Sequence, residues 1–378
     1  MSHNTPRYTI ESLESVRGVL ALIVLLAHGW QTFVRPCWPE GVLPTVVGIL
    51  ARLAVVGFFV VSGFAIANSI SINRLRNEQF DVGEFCAARL FRITPPLLII
   101  IALTYFFSVG LSACGWDQID QMNAVRSTFA TKPFQQILAL ITGCVSGDLT
   151  GNWLNGPLWS LAYEIQLYVL AGLTAAIVWS TKFYKFTASV ASVLYLAALV
   201  KLSFANGSSE MRLQFLCYGS FLIGVMGMLL IRSSPQSAKR IGVIVAILGI
   251  ATVFLFDLDW TDLNSPEMIF AQASFALIFS GILVSTRNVK PRISFFTRAG
   301  KYSYTLYIAH FPILLAILFA QWHLSRWLLQ PPFIIPNAIV ATFSVWFIIS
   351  SIGPRLERPR EQLIASKRIL HWAWSKIR

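Results

Sequence analysis

The stretch RGVLALIVLLAH, residues 17–28, joins a permanent positive charge to a titratable imidazole through ten apolar or small residues. In a helix, which rises about 1.5 Å per residue, Arg17 and His28 would stand about 16 Å apart along the axis. Their separation of 11 residues, at about 100° each, is three turns plus about 20°, so both side chains face the same way. Such a run predicts a membrane-spanning helix, in which a histidine is costly and usually faces a partner or a wet cavity.

Similar apolar runs recur along nearly the whole chain. Of its 378 residues, 56% are hydrophobic and only 12% are charged, and the mean hydropathy is +0.65. A helix of about 20 apolar residues crosses about 30 Å of hydrocarbon. The sequence therefore predicts an all-α, polytopic integral membrane protein with about ten transmembrane helices. The predicted spans are roughly 13–34, 47–71, 93–113, 157–180, 186–204, 213–231, 241–257, 268–286, 302–320 and 334–352.

The net charge of +13 follows from membrane topology and predicts no nucleic-acid partner. With the N-terminus inside, 23 of the 30 Lys and Arg residues fall on inner segments, as the positive-inside rule requires. We therefore expect both termini to be cytoplasmic. Residues 1–12 form the N-terminal segment, and residues 353–378 form a basic tail that lies on the membrane lipids.

One connection, residues 114–156, is much longer than the others. It begins with a polar stretch and then carries FQQILALITGCV, which is too short to span a bilayer. The sequence predicts a long extracytoplasmic loop that contains a re-entrant or interfacial helix. A long ordered loop of this kind often acts as a functional lid.

A second ionisable group lies at membrane depth in GPLWSLAYEIQLYVL. Counting about 1.5 Å per residue, Glu164 comes out about 10 Å below the outer face, and His28 about 9 Å below it. A carboxylate can fix the tautomer of an imidazole and raise its basicity, so we predict that the two residues pair. The alternative is a buried pair with a purely structural role.

Two further spans carry polar side chains. KYSYTLYIAHFPIL contains Ser303 and His310, and VGFFVVSGFAIA contains Ser62. Each of these side chains fits either a site or a hydrogen bond between packed helices. Ser62 is not part of a nucleophile elbow, because the G-x-S-x-G spacing and the strand that precedes it are both absent.

The segment ARLFRITPP places Arg89 and Arg92 one turn apart on the inner side. Their guanidinium groups can converge on a phosphate-bearing ligand, and Arg17, Arg298 and Lys301 lie at the same level. The alternative is that each is a topology charge. The sequence contains no phosphate-binding loop for nucleotides, no dinucleotide-binding fingerprint and no zinc-ligand spacing, so we expect no metal.

These segments together resemble acyltransferase family 3, the integral-membrane acyltransferases that O-acetylate bacterial surface polysaccharides. The resemblance runs from about residue 11 to about residue 355 and includes five motifs in order. They are ESVRGVLALIVLLAH for Arg-x10-His, VGFFVVSGFAI for the FFVLSGF-like second span, RLFRITPP for R-x-x-R-I-x-P, PLWSLAYEIQLY for WSLxxE and YSYTLYIAHFPIL for SYxLYLxHxP. The chain departs from the common pattern with ESVRG in place of DGLRG and LAYE in place of LSVE.

The resemblance implies that residues 13–352 form an acyltransferase domain with acyl-CoA, normally acetyl-CoA, as the donor. Arg17 and His28 take the positions of the essential arginine and histidine, and Glu164 joins them as a catalytic residue. The acceptor would be a saccharide or glycolipid outside the bacterial cytoplasmic (inner) membrane. Whether the protein forms a homo-oligomer is left open.

We expect the inner cations to bind CoA and the outer polar residues to bind the acceptor. The expected CoA-binding residues are Arg17, Arg89, Arg92, Arg298 and Lys301. The expected acceptor-binding residues are Trp159 and Tyr163, which can stack on a sugar ring, with Ser62, Ser160, Ser303 and His310.

Two mechanisms and two other classes of protein stay open. His28 would act either as the general base for the sugar hydroxyl or as a covalent carrier of the acyl group. A proton-coupled transporter or flippase of glycans would also use a buried His and Glu. A polyprenyl-phosphate glycosyltransferase is less consistent with the sequence, because the first outer loop offers only Glu40 as an acidic residue.

Overall fold

The computed structural model describes residues 10–115, 155–205, 208–254, 262–289 and 294–357. Within these residues, ten helices are long and apolar enough to cross a membrane, which confirms the all-α polytopic class and the predicted number of spans. The helices are α1 (Ile10–Phe33), α2 (Val42–Asn77), α3 (Val82–Ala113), α4 (Trp159–Trp179), α5 (Lys182–Ala205), α6 (Ser208–Ser233), α7 (Pro235–Val253), α8 (Pro266–Ser285), the short α9 (Ser294–Lys301), α10 (Ser303–Leu324) and α11 (Ile334–Leu356).

The helix that contains the third predicted span is longer than that span. α3 starts at Val82, not near residue 93, because Asp81 caps it by accepting a hydrogen bond from the backbone N–H of Glu84 at 2.9 Å. The helix then continues through Pro95 and Pro96. Arg89 and Arg92 therefore lie inside a helix, and their backbone positions are fixed.

The centre of the fold is formed by α1, α2 and α10, and α5 and α7 lie at the periphery with mostly exposed surfaces. α1 packs closely on α9, where a Cβ atom added to Gly18 would stand 2.8 Å from the backbone nitrogen of Gly300. Only residues without a side chain allow backbones to approach this closely. This packing fixes the N-terminal part of α1, which carries Arg17.

Three predictions concern regions that the structure describes only in part. Residues 116–154, which hold nearly all of the long outer loop and its predicted interfacial helix, lie outside the described residues. The basic tail is described only as far as residue 357, with α11 continuing to Leu356. The cytoplasmic placement of both termini stays a prediction.

Candidate active site

Five helices, α1, α2, α3, α4 and α10, enclose a cavity of about 250 Å³. Its lining brings together seven residues that the sequence predicted for a site. They are Arg17 of α1, Ser62 of α2, Arg89 and Arg92 of α3, Ser160 and Glu164 of α4, and Ser303 of α10. The sequence reading did not select the three tyrosines that line the same cavity, Tyr168, Tyr304 and Tyr307.

Three arginines form the cationic part of the cavity. The guanidinium carbon of Arg89 lies 4.9 Å from the ring centroid of Phe85 and 5.8 Å from that of Tyr168. Its Nε is buried and has no hydrogen-bond partner among the described residues. Because a buried cation is unfavourable without an anionic or polar partner, this arrangement suits an anionic ligand.

Glu164 faces this cavity from α4. Its carboxylate accepts a hydrogen bond from the hydroxyl of Ser62 at 3.0 Å and another from the hydroxyl of Tyr168. Glu164 is thus held by residues of α2 and of its own helix, close to the arginines. Its predicted contact with His28 is not among these described contacts and stays a prediction.

A second acidic residue near the arginines is Glu357, which the sequence reading missed. Its carboxylate accepts a hydrogen bond from the backbone N–H of Thr305 at 2.6 Å, in the first turn of α10. Burial raises the pKa of Glu357, whereas the Thr305 N–H and the positive charges of Arg92 and Arg17 oppose this shift. The sequence contains only an indirect indication of this contact. Tyr302 occupies the N-cap position of α10 and its side chain does not cap the helix, so the cap comes from elsewhere in the chain.

Two histidines meet between α1 and α10. The ring centroids of His28 and His310 are 5.1 Å apart, with an angle of 37° between the rings. Phe311 lies edge-on to His28 at 5.4 Å. The Nδ1 of His310 lies 3.0 Å from the backbone carbonyl oxygen of Leu306. The sequence had predicted both histidines for the site, but not that they face each other.

Tyr307 connects the histidine pair to the cavity. Its hydroxyl donates a hydrogen bond to the backbone carbonyl of Pro157 at 2.8 Å, so Ser160, at 2.5 Å, acts as the donor to Tyr307. The ring of Tyr307 lines the cavity, and its centroid is 6.0 Å from that of His310. Neither histidine lines the cavity, but Tyr307, which shares its lining with the arginines, lies beside His310.

Six predicted site residues do not line this cavity: the two histidines described above and four others. Arg298 and Lys301 are exposed on the surface of α9. Trp159 and Tyr163 pack edge to face at 6.0 Å on α4, where Arg52 lies 5.7 Å from the Trp159 ring. These two aromatic residues therefore belong to a separate polar and aromatic cluster.

Comparison with known proteins gives one family. The profile described as an acyltransferase domain matches residues 10–351. The chain is 24% identical over 345 residues to the O-acetyltransferase OatA of Staphylococcus aureus strain NCTC 8325, covering 83% of this chain and 52% of that protein. It is also 24% identical over 315 residues to the O-acetyl transferase of Shigella phage Sf6, covering 79% of this chain and 83% of the phage protein. No solved structure matches the chain.

The family match includes every helix that lines the cavity and both histidines. The chain spans about half the length of the S. aureus relatives that it matches. Because the profile covers most of its length, the chain belongs to the acyltransferase domain family that the five sequence motifs indicated.

Proposed function

We propose that the protein transfers an acyl group, normally acetyl, from cytoplasmic acyl-CoA to a hydroxyl of a surface or lipid-linked saccharide on the outer side of a bacterial inner membrane. The observation that carries the proposal is the cavity itself, which is lined by Arg17, Arg89 and Arg92 and also by Tyr307, a neighbour of the histidine pair. The two relatives named O-acetyltransferase support an acetyl group and a hydroxyl acceptor.

The arginines suit a donor that carries phosphates. A planar guanidinium can bind two phosphate oxygens at once, and such bonds are strong where water is scarce. The cavity volume of about 250 Å³ lies below the roughly 300–1,000 Å³ of sites that enclose drug-sized ligands. It therefore suits one phosphate group or the pantetheine arm with its thioester, and the rest of the CoA would stay outside.

The histidine pair suits the chemical step. A neutral imidazole can take a proton from a hydroxyl or can itself receive the acyl group. The ring centroid of His310 lies 6.0 Å from that of Tyr307, which lines the cavity, and the ring centroid of His28 lies 5.1 Å from that of His310. In this proposal the nucleotide part of CoA stays on the cytoplasmic side, and only the pantetheine arm with its acyl thioester extends towards the histidines.

The first test measures the transfer of radiolabelled acetyl from acetyl-CoA in membranes that contain the wild-type protein or the His28→Ala variant. The matched control is His323→Ala, since His323 is exposed near the end of α10. We expect label in a saccharide fraction for wild type and His323→Ala, and a loss of at least about 100-fold for His28→Ala. If wild-type protein transfers no label from any acyl-CoA, the proposed function is wrong and a transporter becomes the better explanation.

A further inference from the structure

One nitrogen atom of His310 has no hydrogen-bond partner among the residues that the structure describes. The side chain is only 1% exposed, and its Nδ1 lies 3.0 Å from the carbonyl oxygen of Leu306. A carbonyl oxygen can only accept a hydrogen bond, so Nδ1 carries the proton. In a neutral ring the Nε2 then has a free lone pair, and among the described residues no donor reaches it.

This lone pair is unusual for a residue that only packs. Buried polar atoms nearly always have a hydrogen-bond partner, and leaving an acceptor unmet is unfavourable. The fold fixes one tautomer of His310 with the carbonyl of Leu306 and leaves the other nitrogen open. Such an arrangement is expected of a base that awaits a substrate proton.

His310 packs against two side chains, His28 and Tyr307, that belong to the candidate site. On one side its ring faces His28, at a centroid distance of 5.1 Å, and on another it faces Tyr307 at 6.0 Å. Tyr307 lines the arginine cavity, so His310 is separated from that cavity by one side chain, and His28 lies next to His310.

The hydroxyl groups nearby are already committed to the protein. Tyr307 donates its proton to the carbonyl of Pro157, and Ser160 donates to Tyr307. Neither hydroxyl can take up a proton from a substrate as readily as a free imidazole nitrogen. His310 thus differs from them in having a basic atom that no described residue uses.

We propose that His310 is a further catalytic residue, and that its Nε2 accepts the proton of the acceptor hydroxyl during acyl transfer. This inference rests on the proposed function. The hydroxyl oxygen forms a bond with the carbonyl carbon of the acyl group, its proton moves to Nε2, and the carbon–sulfur bond of the thioester breaks. The leaving thiolate takes the proton from Nε2, so the products are the ester, free CoA and a neutral His310.

The test is chemical rescue in membranes that contain the His310→Ala variant. A missing general base costs about 10²- to 10⁴-fold in rate, so we expect acetyl transfer to fall at least about 100-fold. Added imidazole fills the space left by the side chain. We expect it to recover at least about a tenth of the drop in the logarithm of the transfer rate, and substituted imidazoles to recover more as their pKa rises. His323→Ala, on the same helix but exposed, keeps the wild-type rate with or without imidazole.

A second variant, His310→Gln, guards against misfolding. Glutamine keeps an amide N–H and much of the volume but has no basic nitrogen. We expect His310→Gln to bind acyl-CoA as wild type does, to lose as much activity as His310→Ala, and to gain nothing from imidazole. Binding of acyl-CoA to each variant is measured with the labelled donor, so a loss of folding is recognised directly.

Two results would overturn the role of His310 while leaving the proposed function intact. One is a His310→Gln variant that transfers acetyl within a few-fold of the wild-type rate. The other is a His310→Ala variant that binds acyl-CoA normally but whose rate does not respond to any imidazole. A wild-type protein that transfers no acyl group would instead refute the proposed function itself.

Discussion

Replacing Arg89 by lysine tests whether the cavity binds an anionic donor. The guanidinium group of Arg89 lies over the rings of Phe85 and Tyr168, at 4.9 Å and 5.8 Å, and its buried Nε has no partner among the described residues. Lysine keeps the positive charge but loses the planar group that stacks on rings and binds two phosphate oxygens at once.

The expected size of the effect follows from the contacts. Each lost stacking contact is worth about 0.5–1 kcal/mol, so the lysine side chain would be held in position less firmly than the arginine. Loss of one charge-assisted hydrogen bond to the donor costs about 1.5–3 kcal/mol, which is about 10- to 150-fold in affinity. We expect the apparent KM for acyl-CoA to rise at least about tenfold with little change in kcat, because the bond is made both to the bound donor and in the transition state.

The assay compares initial rates of label transfer over a range of acyl-CoA concentrations. Arg74→Lys is the matched control, since Arg74 also lies over an aromatic ring, that of Trp179 at 5.3 Å, but is exposed and does not line the cavity. An unchanged KM in Arg89→Lys, or an equal rise in Arg74→Lys, would refute the assignment of Arg89 to donor binding.

Three further predictions concern the supports of the site. Tyr168→Phe removes one of two hydrogen bonds to the carboxylate of Glu164, so we expect kcat/KM for acetyl transfer to fall about tenfold; an unchanged value would contradict a role for this contact. Gly63→Ala should lower the melting temperature of the purified protein, because an added Cβ would overlap the backbone of α6. The control Gly110→Ala should not, because a Cβ added there has no described atom within 4 Å. Equal melting temperatures of the two variants would contradict the close packing at Gly63. Burial raises the pKa of Glu357, so ionisation of this carboxyl destabilises the fold. In melting experiments at a series of pH values, the wild type should lose stability relative to Glu357→Gln as the pH rises above about 4.5. The opposite slope would mean that the nearby positive charges outweigh burial.

The number of spans could be predicted because hydropathy alone determines it. A run of about 20 apolar residues has to cross the bilayer as a helix, since no water is present there to bond the backbone. The ends of the helices depend on local contacts instead. α3 begins at Val82 because Asp81 caps it, and it passes through Pro95 although proline usually ends a helix, so the helix is longer than the predicted span of residues 93–113.

The residues of the cavity were predictable where each lies on a motif, as Arg17, Arg89 and Arg92 do. Counting residues along a helix gives the depth of a side chain, but it does not give the rotation of that helix against its neighbours. This is why Glu164 and His28 could be assigned similar depths, while the described contacts join Glu164 to Ser62 and Tyr168.

Residues whose contacts lie far away along the chain were harder to predict. Glu357 caps α10 only because the C-terminal end of α11 returns to the N-terminal end of α10, and that contact joins residues 52 positions apart. Tyr307 belongs to the same motif as His310, yet its place between the cavity and the histidines depends on its bond to Pro157, 150 positions away. Neither long-range contact has a signal in spacing or hydropathy.

Helix α1 carries both a cation of the cavity, Arg17, and a member of the histidine pair, His28. Arg17 lines the cavity and His28 faces His310, and the helix between them is continuous from Ile10 to Phe33. A rigid helix holds the two side chains about 16 Å apart along its axis. A polyanionic donor bound at the arginines is therefore kept away from the apolar interior around the histidines, where burying its charges would be very costly. Only an uncharged thioester arm or acyl group can cover that distance at low cost, which supports transfer of the acyl group without the rest of the donor.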